Sequence, residues 1–307
     1  MQYMSIDAWF EKLDESEKAQ ETTSFSGESF LRSAVRRFYK NKLAVFGLVS
    51  LAAIILLALF VPIFSRYSFD TQDITSRNQM PSGTHWFGTD KFGRDMFVRV
   101  WCGARISLMV GFVSTLINLI IGVVYGGISG FMGGKTDLLM MRLTDIIASI
   151  PSLIYVILIM LVFGSNINSI LIGICISSWI GMARIVRSET LRLKQQEFCL
   201  AAKVMGASSA RILFKNILVN AIGPIIVNVT MMVPQAIFTE AFLSFVGVGI
   251  SAPMASWGTL AQDARTQIEL FPLQIVFPLL AICITIFALN FVGDGLGKAL
   301  DPKNRKE

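Results

Sequence analysis

Apolar residues along this chain gather into six runs that polar segments separate. Each run approaches the length of about 20 residues that an α-helix needs to cross roughly 30 Å of hydrocarbon. The third run is the least uniform, because Arg142 and Asp145 fall in its first turns. The pattern predicts an all-α, polytopic membrane protein with six transmembrane helices. The predicted spans cover residues 43–64, 106–126, 139–163, 167–182, 218–242 and 273–291.

Composition supports a membrane location. The 307 residues are 53% hydrophobic and only 16% charged, whereas soluble globular domains carry about 25% charged residues. In a membrane protein, the net charge of +6 is better explained by the orientation of the spans than by binding to nucleic acid. We expect no nucleic-acid partner. Lys and Arg collect on the cytoplasmic side of membrane proteins. With the N-terminus inside, 20 of the 27 basic residues fall on inner segments, so this multi-pass chain of the cell (inner or plasma) membrane is predicted to have both termini in the cytoplasm.

Polar segments divide the chain into three parts. Residues 1–42 form a predicted cytoplasmic tail, in which Leu31, Val35 and Phe38 recur at helical spacing among basic residues. This pattern is typical of an amphipathic helix on the membrane surface, where the basic side meets anionic headgroups. The other two parts are residues 43–104, with the first span and an extracytoplasmic loop, and residues 105–302, a core with five spans and a cytoplasmic hairpin at 195–218.

Little in the chain predicts metal or nucleotide chemistry. The four cysteines are scattered and His85 is the single histidine, so no cluster with metal-ligand spacing forms. Residues 130–137, GFMGGKTD, are reminiscent of a phosphate-binding loop, but the Walker A pattern requires glycine where this chain has Ser129. A membrane helix, not a buried strand, precedes them. We therefore expect no metal or cofactor in this chain, and a glycine-rich turn between the second and third spans.

Ionisable residues inside the spans are few. Glu240 lies in the outer part of the fifth span, and Asp294 lies just past the sixth. A carrier driven by an ion gradient normally holds several such groups around a site at the midplane, so energy for any transport is expected to enter from outside the chain. Two roles remain open for Glu240: it lines a polar path, or it pairs with a neighbouring subunit. Pro234 and Asn228 of the same span are the other candidates for a translocation path.

The polar, basic stretch between the fourth and fifth spans is predicted to form the hairpin. Phe198, Ala201, Ala202 and Met205 recur at helical spacing and make an apolar stripe on a first short helix. Gly206 suits the left-handed conformation that ends a helix. The stripe has no evident partner within its own chain.

The second arm begins after this glycine. Ser208 or Ser209 can cap a helix that carries Ile212, Leu213 and Ile217. An unpartnered apolar face favours contact with another protein. The alternative is a surface helix that lies against the ends of the spans, and the residues alone leave both interpretations open.

The hairpin resembles the signature of ABC importer membrane subunits, Glu-Ala-Ala-x-x-x-Gly with Ile-x-Leu-Pro further along. The matching positions are Ala201, Ala202, Gly206 and Leu218. The positions that differ are Leu200 in place of Glu, Asn216 in place of Ile and Val219 in place of Pro. The missing Glu puts one polar contact of the family in doubt, and Glu197, one turn earlier, is a candidate to replace it.

Further blocks resemble peptide-type permeases in the same order, over roughly residues 28 to 302. They are FGTDKFGRDMFVRVWCGARISLMVG, GGKTDLLMMRLTDIIASIP, MARIVRSETLRLKQQEF, EAFLSFVGVG, SWGTLAQDAR and NFVGDGLGKALDP. The chain is most similar to the C-type membrane subunits of oligopeptide permeases, and the subunits of dipeptide and nickel permeases are near siblings.

The resemblance implies the ABC type I importer transmembrane-domain fold and a permease core without catalytic residues. It implies a homologous B-type permease subunit, two cytoplasmic ATPase subunits that bind ATP and Mg²⁺, and an extracytoplasmic binding protein that delivers a peptide. The residues expected to contact an ATPase are Glu197, Ala201, Ala202, Gly206, Ser208 and Arg211. The residues expected to meet the binding protein are Asp90, Arg94, Asp95 and Trp257. An ion-driven secondary carrier and a non-transporting scaffold are the competing hypotheses.

Overall fold

The computed structural model describes residues 30–251 and 254–300. The first part of the predicted tail, residues 1–29, and the basic C-terminal residues 301–307 lie outside the described residues. Within the described ranges, helices joined by loops and turns account for the architecture, apart from one isolated β-bridge in the loop before residue 96. The all-α prediction is confirmed.

Thirteen α-helices follow one another along the described chain. They are α1 Phe30–Lys40, α2 Lys42–Phe64, α3 Met96–Met132, α4 Gly134–Ala148, α5 Ser152–Phe163, α6 Ile167–Ser177, α7 Trp179–Lys194, α8 Glu197–Val204, α9 Ser209–Arg211, α10 Leu218–Asn220, α11 Ile222–Val246, α12 Trp257–Arg265 and α13 Leu273–Leu300. A π-helical turn, Ile212–Ile217, joins α9 to α10. Below, the hairpin end of the bundle is the end that carries α8 and α9, and the loop end is the end that carries residues 65–95 and 247–272.

Five helical stretches of the described chain are long and apolar enough to cross a membrane, and α4 with α5 makes a sixth if the bent pair is one span. The five include Ile167–Lys194, in which α6 and α7 form one stretch. This span therefore extends twelve residues beyond its predicted end at residue 182, because its polar last turns pack on protein.

The long helix α3 begins at Met96, ten residues before the predicted start of the second span. Asp95 fixes this start, because its side chain accepts a hydrogen bond from the backbone N–H of Val98. The 37 residues of α3 reach about 55 Å at 1.5 Å per residue. The sequence pattern placed the start too late because Arg99 and Arg105 interrupt the apolar run, although the first turns pack on protein and not on lipid.

Three glycines of α3 allow close contact with α7. A Cβ atom at Gly126 would lie 2.2 Å from the carbonyl oxygen of Ala183, and one at Gly130 would lie 2.7 Å from the carbonyl oxygen of Arg187. Because only glycine lets the backbones approach so closely, small residues at this spacing form a packing seam. Gly122 continues the same seam one turn further into the bundle.

The third predicted span, residues 139–163, is not one helix. α4 and α5 meet at an angle of 71°, and Pro151 precedes the first residue of α5. Proline lacks the N–H that a continuous helix needs and disfavours helical geometry in the residue before it. Beyond the break, α5 packs closely on α6, since a Cβ at Gly173 would lie 2.5 Å from Cα of Val156.

Helix α1 is amphipathic, as predicted, but its apolar side meets protein. Ala34 and Phe38 are buried, and a Cβ at Gly295 of α13 would lie 3.1 Å from the Phe38 ring. Val35 and Tyr39 are exposed on another side of the helix. The helix therefore docks on the end of the last span while it presents apolar and basic side chains outward.

Arg105 of α3 donates hydrogen bonds to carbonyl oxygens of α2 beside a proline. Pro62 lies inside α2 and has no N–H, so the carbonyl oxygen of Ala58 loses its usual partner four residues on. The Arg105 side chain donates from Nε to the Ala58 carbonyl at 2.6 Å and from Nη2 to the Leu59 carbonyl at 2.7 Å. A charged residue inside a membrane protein is thus used to satisfy backbone that proline frees.

Candidate functional site: the hairpin and the loop-end charges

The first arm of the hairpin is tethered to the bundle by two small side chains. Cys199 and Ala202 of α8 are buried in one apolar cluster with Leu193 of α7 and with Ile212 and Leu213 of the second arm. Burial raises the pKa of the Cys199 thiol. The inner side of α8 is therefore part of this chain's own core.

The turn between the arms is a Schellman motif. Gly206 has a φ of +81°, its N–H donates to the Lys203 carbonyl at 3.1 Å, and the N–H of Ala207 donates to the Ala202 carbonyl at 3.0 Å. A Cβ at Gly206 would meet no atom within 4 Å. The glycine is therefore required by its left-handed backbone and not by lack of space, as the sequence predicted.

The second arm is built from two kinds of helical turn. The Ser208 side chain accepts a hydrogen bond from the N–H of Arg211, and the π-helical turn follows. In a π-turn, hydrogen bonds join residues i and i+5, so Ile217 lies below Ile212, and both are buried with Leu213. These residues pack on this chain, so for the second arm the interpretation as a helix that lies against the ends of the spans is favoured.

The outer side of α8 and the residue that follows the helix form an exposed apolar patch, here called the hairpin patch: Leu200, Ala201, Val204 and Met205. Val204 is 88% exposed, Met205 81% and Leu200 55%. The predicted stripe is thus divided, because Ala202 faces inward while Ala201 and Met205 face outward. Exposed apolar side chains gathered on one short helix are typical of a protein contact.

The structure places the other predicted contact residues around this patch. Glu197, Gly206, Ser208 and Arg211 are all exposed. Glu197 is in the first turn of α8, three residues before Leu200. The candidate replacement for the family's Glu therefore lies one turn from the position that Leu200 occupies.

Ion pairs fix the base of the hairpin to the bundle. Arg187 of α7 donates from Nη2 to Oδ2 of Asp137 at 2.5 Å, while its Nε donates to the other carboxylate oxygen. Ser129 of α3 donates to the same carboxylate at 2.6 Å, and the Lys194 ammonium donates to the carbonyl of Phe131. A fork of two parallel hydrogen bonds is a strong, directional link, so α7 carries the hairpin as a rigid extension of α3 and α4.

Two of the three predicted path residues are enclosed by this chain. Glu240 is 0% exposed, and its carboxylate accepts hydrogen bonds from Ser107 at 2.8 Å and Ser244 at 2.9 Å. Pro234 is also buried, and Asn228 is half-buried. Within this chain the Glu240 carboxylate is enclosed and links α11 to α3.

The predicted docking residues at the loop end are buried as well. Arg94 donates from Nε to Asp90 at 2.6 Å. Asp95 caps α3 and contacts Nδ1 of His85 at 2.8 Å. Trp257 is 0% exposed and donates from Nε1 to the carbonyl of Val100 at 3.0 Å. These four predicted residues hold the loop end together from within, and their burial favours a structural role inside this chain.

Metal chemistry finds no support in the geometry. Among residues 30–251 and 254–300, no group of three or more His, Cys, Asp and Glu side chains is placed to hold an ion.

Comparison with a solved structure identifies the fold. The chain is similar to a subunit chain in inward facing conformations of the MetNI methionine ABC transporter, with a TM-score of 0.54 and 17% identity over 67% of this chain and 98% of that one. At this identity the similarity concerns the fold alone, and that fold is the transmembrane domain of an ABC type I importer.

Family comparisons identify the chain more closely. Residues 120–306 match the family described as binding-protein-dependent transport system inner membrane component. Residues 29–81 match the N-terminal TM domain of oligopeptide transport permease C. This chain belongs to the family of binding-protein-dependent transport system inner membrane components.

Curated relatives agree over nearly the whole length. The oligopeptide transport system permease protein OppC of Bacillus subtilis (strain 168) is 51% identical over 91% of this chain and 91% of its own. The dipeptide transport system permease protein DppC of the same strain is 44% identical over 98% and 94%. OppC of Escherichia coli (strain K12) is 43% identical over 94% and 96%. Because these relatives are permease proteins, the chain is a membrane permease subunit and not an enzyme.

Proposed function

We propose that this chain forms one half of the membrane pathway of an ATP-driven oligopeptide importer in the inner membrane. An extracytoplasmic binding protein delivers the peptide at the loop end, and a homologous B-type permease subunit supplies the other half of the pathway. The observation that carries the proposal is the hairpin patch, an exposed apolar surface on a helix whose opposite side is locked into the bundle.

The hairpin patch suits contact with one of two cytoplasmic ATPase subunits. The partner ATPases bind ATP and Mg²⁺, and this chain binds neither. When the ATPases close, they move α8, and the buried base passes the displacement to α7. The Arg187–Asp137 fork then carries it to α4. The hairpin end, with both termini, faces the cytoplasm in this account.

A pathway surface in this proposal lies on the exposed side of α11. Gln235, Phe238 and Phe242 are exposed and recur at helical spacing, so they share one side of the helix. This side replaces Glu240 and Pro234 as the candidate surface for the B-type subunit and the peptide. Aromatic and amide side chains without charge suit a substrate whose side chains vary.

The relatives favour oligopeptides over dipeptides. Within one strain, the oligopeptide permease is 51% identical to this chain and the dipeptide permease 44%. The test is uptake of radiolabelled tetrapeptide, dipeptide and nickel by cells that lack this gene, with and without a plasmid copy. We expect tetrapeptide uptake to be lost and restored, while nickel uptake stays unchanged. Loss of dipeptide uptake alone, or of nickel uptake alone, would instead identify a dipeptide or a nickel permease.

The ion-driven alternative is tested in the same cells. Inactivation of the partner ATPases is expected to abolish tetrapeptide uptake, and an ionophore that leaves ATP levels intact is expected to have no effect. Uptake that survives ATPase inactivation but collapses with the ionophore would replace the importer proposal by a carrier.

A further inference from the structure

A cluster of five charged side chains lies at the loop end of the bundle. The cations are Lys91, Arg94 and Arg99, and the carboxylates are Asp90 and Asp263. Arg94 pairs with Asp90 at 2.6 Å, and Lys91 pairs with Asp263 at 3.2 Å. The cluster therefore holds one positive charge more than its carboxylates neutralise.

Arg99 is the least closely paired cation of the cluster. Its side chain donates from Nη1 to the carbonyl of Phe69 at 3.2 Å, and its buried Nε has no hydrogen-bond partner. The nearest oxygens of Asp90 and Asp263 lie at 3.6 Å, beyond normal hydrogen-bond distance. Arg99 is only 2% exposed, and a buried guanidinium with unfilled donors is destabilising. Such a group favours an additional anion.

A cavity of about 320 Å³ adjoins the two arginines. Its lining includes Arg94, Arg99, Gln262 and Asp263 together with backbone at Gly249. The space is far larger than the ~30 Å³ that one water molecule occupies in the liquid. Guanidinium groups bind carboxylates through paired, charge-assisted hydrogen bonds. The cavity thus combines room for a ligand with donors that suit a carboxylate.

We propose that this cavity binds the terminal carboxylate of the transported peptide, an inference that rests on the proposed function. Asp263 occupies the position from which that carboxylate approaches, since its Oδ2 lies 3.4 Å from Arg94 and 3.6 Å from Arg99. Its other oxygen already pairs with Lys91, and its side chain is 35% exposed. When the ligand binds, Asp263 can therefore release Arg94 and Arg99 and remain paired with Lys91.

A terminal carboxylate is the one anionic group common to unmodified peptides of any sequence. A site for this group recognises the peptide backbone without selecting side chains. The remaining walls of the cavity include Ser165 and Thr259, which are small and polar. The arrangement fits a transporter whose cargo has a fixed end and variable side chains.

The test uses the full complex in proteoliposomes, with its binding protein outside and ATP inside. The substrates are one radiolabelled tetrapeptide with a free C-terminus and the same peptide as its C-terminal amide. Each variant is compared with the wild type using the same binding protein. Any preference of the binding protein for one peptide therefore affects the wild type and the variant equally. The control is Arg77→Gln, which removes an exposed positive charge from the loop end outside the cavity.

Two variants change the charge of the cavity in opposite directions and leave the buried arginines in place. Gln262→Glu adds a competing carboxylate and is expected to raise KM for the free peptide about tenfold, the scale of one charge-assisted hydrogen bond, with a much smaller effect on the amide. Asp263→Asn removes the competing carboxylate and is expected to lower KM for the free peptide. Arg77→Gln is expected to change neither value.

Other outcomes separate this inference from the proposed function. Equal changes for the free peptide and the amide would overturn the carboxylate site. If those equal changes follow a weaker affinity of the complex for the binding protein, the cavity instead contacts that protein, which also overturns the site. Absence of uptake of both peptides by the wild-type complex would overturn the proposed function and, with it, the ligand assigned here.

Discussion

The two ends of the bundle use apolar and charged residues in opposite ways. At the hairpin end, Leu200, Val204 and Met205 are exposed on α8, while small residues on its other side anchor it. At the loop end, Asp90, Arg94 and Asp95 are buried and paired with one another or with backbone. A surface for a partner protein is therefore marked by exposed apolar side chains at one end. At the other end the charged side chains are buried, where they hold the loops together and where some of them line the cavity proposed for the ligand.

The difference follows from how each end is held. The hairpin is short, and its turn is fixed by backbone geometry at Gly206, so few side chains are needed inside it. The loop end has no long regular element between α2 and α3, and buried ion pairs and caps replace the packing that helices would supply.

The largest expected effect concerns the turn of the hairpin. Gly206→Val forces a β-branched residue into a left-handed conformation, which costs at least 1–2 kcal/mol, and misplaces the hairpin patch. We expect peptide uptake to fall more than about tenfold while the ATPases still hydrolyse ATP. Gly206→Asn is the matched control, because asparagine adds a side chain but tolerates this backbone. Equal loss in both variants would argue against the turn as the cause.

A smaller effect is expected where Glu240 connects α11 to α3. Glu240→Ala leaves the hydroxyls of Ser107 and Ser244 without their acceptor and opens a void, so we expect a loss of about 2–4 kcal/mol in stability, measured as a lower Tm of the purified complex. Glu240→Gln keeps an acceptor and is expected to lose less. If Gln and Ala variants instead abolish uptake equally at unchanged Tm, Glu240 lines the path after all.

The hydrogen bonds from Arg105 to α2 beside Pro62 predict a measurable coupling. Arg105→Gln removes a hydrogen bond to the Ala58 carbonyl, which Pro62 leaves without a donor, and a second one to the Leu59 carbonyl, and is expected to cost about 1–2 kcal/mol. Pro62→Ala returns an N–H to the Ala58 carbonyl, so the same Arg105 substitution should cost less in that background. A double-mutant cycle followed by thermal unfolding measures the difference. Additive effects would mean that Arg105 does not replace the N–H donor that Pro62 lacks.

The smallest effect concerns reactivity at the hairpin. The thiolate is the reactive form of cysteine, and burial raises the pKa of Cys199, so the thiolate fraction near neutral pH is reduced. We expect maleimide to react slowly with Cys199 and faster as the pH rises. Ser208→Cys, at an exposed position, should react quickly and only from the cytoplasm. Fast labelling of Cys199 at neutral pH would mean that α8 is not seated on the bundle.

The sequence predicts long elements well and short-range geometry poorly. Apolar runs place five of the six spans, since burial in lipid demands continuous hydrophobicity. Pro151 marks the position of the break in the third span, but its 71° angle depends on packing against α6. Arg99 and Arg105 mislead the pattern at the start of α3, because a helix that packs on protein carries polar residues that a lipid-facing helix excludes.

At the candidate site, local backbone signals were the reliable ones. Gly206 predicts the turn, and Ser208 predicts the cap of the second arm, because each of these features depends on a single residue type. The side of α8 that faces outward was not predicted, since Ala202 and Ala201 are identical in character and only the packing of Cys199 decides between them. The π-helical turn has no sequence signal in this chain that we can identify.

The most direct test of the account inserts a photoreactive amino acid at one exposed position of each end. At Val204 of the hairpin patch, irradiation of the full complex with its binding protein is expected to give a covalent adduct with an ATPase subunit. At Trp86, an exposed residue of the loop end, the same residue is expected to give no ATPase adduct. An ATPase adduct at Trp86, or its absence at Val204 in a complex that transports peptide, would mean that α8 is not the contact with the ATPase.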